Sequence, residues 1–262
     1  MNTRAVFIDM DGTLLTSSNE ISQRNVEAIN MLINQGIKVF LATGRQYEIT
    51  VPYYKALGLQ TPMICLNGAS IHDGRTGESI QFTPIMLDEE RFHQITGENS
   101  CNVLIHTTTG LFCKRMNTEI AEWTREGGVP PSFIGDLRNV EYQDVLKYSI
   151  RTGRPSKQLS KSFKEEAAVI DWSDGFELMA RGVSKWAAIK TLLRAYGINP
   201  SEVVTFGDGP NDIQMLLHSG TGVAMANADP IVKNAADFVT RHHENDGLAA
   251  FIERYLIRSF IV

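Results

Sequence analysis

The chain opens on a short, uniformly apolar run, residues 5–8, which predicts a strand buried on both faces. The period then changes. Over residues 22–35, Val26, Ile29, Leu32 and Ile33 recur at helical spacing, with Ser22 as N-cap and Gly36 as stop. A second buried strand over 37–42 ends in Thr43-Gly44, a further helical stretch reaches Leu57 ahead of Gly58, and Pro62 introduces a strand over 63–66. Short apolar strands alternating with helices predict a parallel sheet covered on both faces.

After Asn67-Gly68 the pattern breaks. Residues 70–72 and 79–82 flank the turn sequence DGRTG and predict an antiparallel hairpin. From about Thr83 to Gly182 the strands are less strongly apolar, with candidates over 103–106, 111–113, 146–150, 168–171 and 176–179, helical stretches between several of them, and a loop at GGVPPS (127–132). This stretch reads as a separate α+β unit. Strong alternation returns at Lys185: a helix over 186–196, a buried strand over 203–206, then GDGPND, a helix ending near Ser219-Gly220, a strand over 222–224, a helix from Pro230, a strand over 238–240 and a last helix from Gly247. The expected architecture is α/β: one parallel-sheet domain, residues 1–82 and 183–262, interrupted by an inserted domain over 83–182.

The chemistry gathers where the strands end. Ligands of open α/β sheets bind beyond the carboxyl ends of the strands. The first strand ends in Asp9-Met10-Asp11-Gly12-Thr13, the second in Thr43-Gly44-Arg45, the third in Asn67-Gly68, and the strand over 203–206 in Gly207-Asp208-Gly209-Pro210-Asn211-Asp212. On a shared sheet edge, Asp9, Asp11, Asp208 and Asp212 converge, and four carboxylates in one crevice repel unless neutralised. Mg²⁺ suits such an oxygen set, taking a few carboxylates together with phosphate oxygens. The glycines let backbone N–H groups approach an anion, Thr43 offers a hydroxyl and Lys185 a cation. The set describes a phosphate held over Mg²⁺.

These motifs resemble those of the haloacid dehalogenase superfamily of phosphohydrolases, within it the Cof-type group related to sugar phosphatases. DMDGT resembles the first family motif, LATGR the second, VSK the third and GDGPND the fourth, and the inserted unit resembles the large α/β cap between the second and third. The resemblance implies a Rossmann-like core with an inserted cap, and a Mg²⁺-dependent phosphatase of small phosphate monoesters, sugar phosphates first, with pyridoxal phosphate, flavin mononucleotide and nucleotides behind. It makes Asp9 the nucleophile of an aspartyl-phosphate intermediate and Asp11 the acid and base. Mg²⁺ is expected on the Asp9 and Asp208 carboxylates and the Asp11 main-chain carbonyl, with Asp212 supporting the metal or its waters. Met10, Thr43, Gly44, Lys185 and Asn211 are expected to hold the phosphate. Trp186 departs from the glycine that often follows the motif lysine, which changes the helix start and touches on the pocket wall. A phosphoryl-accepting receiver and a phosphotransferase or sugar phosphomutase are the rival readings.

Composition narrows this only modestly. The chain has 262 residues, 43% of them hydrophobic, and a net charge of -5, so a nucleic-acid partner is not expected. No apolar run reaches the length of a membrane span, and no signal-peptide pattern is present. Cys65, Cys101 and Cys113 match no zinc spacing and read as small buried residues of a reduced compartment. A cytoplasmic protein acting on a small phosphorylated metabolite, as a monomer or small homo-oligomer, is the expectation. His242-His243 reads as a solvated loop, His106 as facing solvent or the interdomain cleft, and the basic residues Lys114, Arg115 and 151–157 as a solvated face, with a role in drawing in anionic substrates as the alternative.

Overall fold

The structure, a computed structural model, describes residues 2–99 and 101–257. The strands are β1 (Ala5–Ile8), β2 (Lys38–Leu41), β3 (Met63–Cys65), β4 (Ser70–His72), β5 (Ser79–Phe82), β6 (Asn102–Thr107), β7 (Leu111–Cys113), β8 (Phe133–Ile134), β9 (Val145–Arg151), β10 (Ala167–Trp172), β11 (Gly175–Ala180), β12 (Val203–Gly207), β13 (Thr221–Ala224) and β14 (Phe238–Val239). The α-helices are α1 (Gln23–Asn34), α2 (Tyr47–Ala56), α3 (Glu89–Glu98), α4 (Thr118–Gly127), α5 (Lys157–Ser160), α6 (Lys185–Tyr196), α7 (Ile213–His218), α8 (Pro230–Lys233) and α9 (Gly247–Phe251).

A parallel sheet of order β14-β13-β12-β1-β2 forms the core layer, with β1 between β12 and β2. Each residue of β1 is buried because successive side chains point to opposite faces. Val6 and Ile8 join the cluster under α1 and α9, while Ala5 and Phe7 join the one under α6. Phe7 stacks on Phe40 of β2 at 4.4 Å. The register sets the site: Ile8 lies opposite both Leu41 and Phe206, so Asp9, the turn at Thr43 and the turn at Asp208 leave the sheet at the same edge. Ser22 caps α1 as expected, its side chain accepting from the Asn25 N–H.

Strands β3, β4 and β5 form a small antiparallel sheet tied to the end of β2 by an Ala42–Ile64 bridge. The second large sheet, of order β10-β11-β9-β6-β7-β8, is built from the inserted segment. One face carries Val103, Ile105, Tyr148, Ile150, Phe176 and Leu178 against Phe92 of α3 and Phe163. The sequence reading missed β8, two residues long and paired with β7, and it placed Gly127 in a loop although it closes α4. The third strand stops at Cys65 because Leu66 and Asn67 turn the chain at positive φ. The three cysteines are buried and unpaired. Among the described residues no helix is long and apolar enough to cross a membrane.

Gly68 ties this frame to the site. Its φ is +96°, and a Cβ there would sit 2.3 Å from the carbonyl oxygen of Ser184, the residue that caps α6 just before Lys185. Gly58, at φ +63°, faces open space. Gly58→Ala should therefore cost about 1 kcal/mol of left-handed strain, and Gly68→Ala more than about 2 kcal/mol because the α6 start must also move. Urea denaturation of the two variants checks the ranking; equal losses would contradict it.

Candidate active site

Asp9 continues the β1 ladder by donating its N–H to the Phe206 carbonyl, which fixes its side chain over the sheet edge. Lys185, the first residue of α6, is completely buried, and its Nζ lies 2.5 Å from Asp9 Oδ1 and 2.7 Å from Asp212 Oδ1. Lys185, expected as a cation of the phosphate site, is thus brought into the carboxylate cluster. Asp9, Asp208 and Asp212 can bring one carboxylate oxygen each within 4.8 Å of one another. Asp212 is fully used: its other oxygen accepts the N–H groups of Asp208 at 3.1 Å and Gly209 at 3.0 Å, which holds the turn after β12 in shape. Asp208 accepts from Thr13 Oγ1 at 3.1 Å and from Asn227 Nδ2 at 3.0 Å. Gly12, at φ +72°, gives Asp208 its room, since a Cβ there would lie 2.3 Å from Asp208 Oδ2.

The electrostatics follow from burial. Burial first, and then the Asp212 charge, push Asp9 well above the usual carboxylate range against the pull of Lys185. The same two causes raise Asp208 to about 6. Burial would lower Lys185, but Asp212 and Asp9 outweigh it and keep the ammonium charged. With all three ionised, the carboxylates exceed that ammonium by two negative charges, carried entirely on oxygen donors, and burial resists this state until a cation offsets it. A hard divalent cation fits this set.

Above the cluster lies a cavity of about 460 Å³, with Asp9, Asp11, Gly12, Gly44, Asp208 and Asn211 on its core side. Met10, Thr43, Lys185 and Asp212 lie beneath the wall rather than on it. Thr43 is fully buried, and its hydroxyl accepts the Arg45 N–H at 3.1 Å. Asp11, more than half exposed, receives Arg45 in a forked pair, Nε at 3.0 Å and Nη2 at 2.6 Å. Arg45 also reaches Glu126 on α4 at 2.8 Å, so it joins Asp11 to the inserted segment.

The far wall comes from the polar face of the second sheet. Lys147, Ser149 and Arg151 alternate with Leu146, Tyr148 and Ile150 along β9, and Glu177 on β11 lies opposite Ser149. Glu177 accepts from Lys147 Nζ and from Asn67 Nδ2, both at 2.8 Å. Burial alone would raise Glu177; Lys147 and Arg151 instead hold it below the usual range. Lys147 also donates to the Gly44 carbonyl at 2.8 Å, and Asn67 Oδ1 accepts from Asn211 at 2.9 Å. Arg151 forks onto Glu119, and Trp123 and Trp172 complete the wall.

A family model of haloacid dehalogenase-like hydrolases matches residues 6–252. The chain belongs to that family. It is 30% identical over 276 residues to pyridoxal phosphate phosphatase YbhA of Escherichia coli K12, covering 98% of this chain and 100% of the relative. It is 28% identical over 261 residues to 5-amino-6-(5-phospho-D-ribitylamino)uracil phosphatase YitU of Bacillus subtilis 168, covering 95% and 96%. Its fold superposes with a TM-score of 0.85 on a HAD subclass IIB sugar phosphatase, at 26% identity over 98% of this chain and 100% of that one.

Two solvated readings, of Arg151 and His243, do not hold for this hydrolase, and His106 takes the cleft side of its expectation rather than the solvent side. His106 is buried between the two units, with Nδ1 at 3.2 Å from Gln46 Oε1 and Nε2 at 3.4 Å from Ser149 Oγ. Arg151 lines the cavity rather than a basic surface. His243 is mostly buried and donates from Nδ1 to the Leu15 carbonyl at 2.7 Å. Trp186 belongs to the core cluster under α6 and lies against His218, so its departure from the family pattern leaves the cavity wall untouched. Arg45 and Asn67 were placed at strand ends of the site edge but given no role, and Lys147 and Glu177 were not anticipated; the signal for the last two is a charged side chain inside an apolar strand, as in VLKYSIR and GFELMA.

The raised Asp208 gives a signed expectation. Its folded pKa of about 6 lies above the ordinary 3.8, so the folded chain holds a proton that the unfolded chain releases. That contribution is present below pH 3.8 and lost as pH rises through 6. In chelator-stripped protein, the stability of the parent chain minus that of Asp208→Asn should fall between about pH 4 and pH 6. Urea midpoints across this range measure it, and a difference that rises would reverse the assignment.

Proposed function

We propose that this chain is a Mg²⁺-dependent phosphomonoesterase that works through an aspartyl-phosphate on Asp9. The observation that carries the reading is the placement of Asp9 at the cavity floor, 2.5 Å from the buried Lys185 ammonium, with Asp11 on the wall above. The Asp9 and Asp208 carboxylates and the Asp11 main-chain carbonyl would hold the metal, with Asp212 supporting from behind through its contacts to Lys185 and the Asp208 turn. The bound ion would supply positive charge to the carboxylates and to the phosphoryl oxygens.

A carboxylate oxygen of Asp9 attacks phosphorus as the P–O bond to the leaving group breaks, and the departing alkoxide takes its proton from the Asp11 carboxyl. Asp11, now a carboxylate, removes a proton from water; the water oxygen attacks phosphorus and the bond to Asp9 breaks. The products are phosphate and an alcohol. Gly44 and Asn211 on the wall hold the transferring group, with Met10, Thr43 and Lys185 shaping and charging the floor beneath them. The forked pair with Arg45 occupies both Asp11 oxygens in this arrangement, so it opens before Asp11 moves a proton, and Glu126 makes this tether responsive to the inserted cap, proposed as 83–182.

The cap wall reads the leaving group. Trp123 and Trp172 offer flat apolar faces, and Arg151, Glu119 and Asp174 offer hydrogen-bonding forks, a combination suited to the ring and vicinal hydroxyls of a sugar. The acids Glu119, Asp174 and Glu177 outnumber Lys147 and Arg151 there, which disfavours a second phosphate and with it the phosphomutase reading. Every group used comes from one chain, so a second copy is not required.

Asp9→Asn should abolish phosphate release from a sugar phosphate while leaving the fold intact. Asp11→Asn should keep Mg²⁺ affinity and lose turnover roughly 10²–10⁴-fold, the usual size of an acid–base contribution. Calorimetric Mg²⁺ titration alongside turnover separates the two roles; a variant of Asp11 that loses the metal but not the turnover per bound ion would invert them.

A further inference from the structure

Glu177 stands in the middle of a buried hydrogen-bonded chain that the proposed reaction does not use. On one side its Oε1 accepts from Lys147 Nζ at 2.8 Å and from Ser149 Oγ at 3.2 Å, and Lys147 continues to the Gly44 carbonyl at 2.8 Å. On the other side its Oε2 accepts from Asn67 Nδ2 at 2.8 Å, and Asn67 Oδ1 accepts from Asn211 Nδ2 at 2.9 Å. The chain therefore runs from Gly44 to Asn211, the two wall residues assigned to the transferring phosphoryl group. Lys147, Ser149, Glu177 and Asn67 are all buried, so water does not compete for these bonds.

A side-chain amide can sit in either of two orientations, and here the partners select one. Burial would raise Glu177, but Lys147 and Arg151 outweigh it and keep the group ionised. An ionised carboxylate only accepts. Asn67 must then turn its NH₂ towards Glu177, which leaves its oxygen for Asn211, and Asn211 must turn its NH₂ towards that oxygen. Neither amide can reverse alone without setting oxygen against oxygen or NH₂ against NH₂. Asn67 is also held by its backbone, whose N–H donates to the Thr43 carbonyl at 2.9 Å. Asn211 spends one amide hydrogen on Asn67 and keeps the other for a phosphoryl oxygen, while its Oδ1 lies towards Gly209, 2.4 Å from where a Cβ there would sit. A reversed Asn211 would offer an oxygen in place of that hydrogen.

We propose, resting on the reading of Gly44 and Asn211 as phosphate-holding groups, that Glu177 is a positioning residue for phosphate: its acceptor-only carboxylate sets the Asn67 amide, which sets the Asn211 amide in the orientation that binds. Glu177 comes from the inserted sheet, and Asn67 and Asn211 from turns at the core sheet edge. The setting therefore lasts only while the two are docked. Lifting the inserted segment frees both amides to rotate and weakens the hold on phosphate, which opens a route for product release.

The test is calorimetric titration of the full chain with inorganic phosphate at saturating Mg²⁺. Glu177→Gln is nearly isosteric and removes one negative charge near the phosphate site, so charge alone would tighten binding. The relay predicts the reverse. Lys147 and Ser149 hold the glutamine oxygen, its NH₂ faces Asn67, and both asparagines reverse. Phosphate should bind about tenfold or more weakly, the scale of a lost hydrogen bond to a charged group. Adding Asn67→Asp to that variant restores an acceptor between the glutamine NH₂ and Asn211, and should recover most of the loss, although charge alone would weaken binding further. Asn67→Ala, which breaks the relay and keeps the Glu177 charge, should weaken phosphate much as Glu177→Gln does. Unchanged or tighter binding by Glu177→Gln or by Asn67→Ala, or a double variant weaker than Glu177→Gln, overturns the relay and leaves the phosphate site standing. Failure of the parent chain to bind phosphate, or binding untouched by Asn211→Ala, overturns the reading of the site and the relay together.

Discussion

Three carboxylates gathered at one sheet edge, with the Lys185 ammonium buried among them, are the constraint that the rest of the structure accommodates. Bringing Asp9, Asp208 and Asp212 together in a protein interior is unfavourable through both desolvation and repulsion. The surrounding elements make it tolerable. Parallel pairing of β1 with β2 and β12 fixes where the turns emerge, Gly12 gives room to Asp208, Gly68 lets the α6 start approach, and two backbone N–H groups satisfy Asp212. What these devices leave uncompensated is an excess of negative charge next to a cavity, where a divalent cation and a phosphate can enter together.

The inserted sheet meets that site with an unusual face. Along β9, residues 147, 149 and 151 alternate with apolar ones, the pattern of a strand with one wet side, but Lys147 and Ser149 are buried. Both donate to Glu177, and Lys147 donates also to the Gly44 carbonyl of the core. Asn67 touches both Asn211 of the core turn and Glu177 of the cap. Displacing the cap would break these contacts and the Arg45–Glu126 pair together, so cap position and the Asp11 environment are physically linked.

Much of this was legible in the chain. Short apolar runs and caps located β1, β2, α1, α6 and β12, and the turns after them named Asp9, Asp11, Asp208 and Asp212, because local pattern and chemistry coincide at a strand end. The cap wall was not legible for a physical reason. Arg151 read as solvated, and Lys147 went unremarked, because alternation within one strand shows which side is polar, not what covers it; for Lys147 that cover comes from about a hundred positions away, at Gly44. Lys185 was legible as the site's cation, but its burial between Asp9 and Asp212 is a tertiary fact that no local pattern carries. Strand β8 escaped because its two residues are held by pairing with β7 rather than by their own pattern.

The most direct measurement is phosphate release from a sugar phosphate by chelator-stripped protein as Mg²⁺ is titrated in. The account predicts negligible release without the ion and saturable recovery with it, absent in Asp208→Asn at the same concentrations. Full release by the stripped protein, unchanged by Mg²⁺, would contradict the claim that the carboxylate cluster exists to hold a divalent cation.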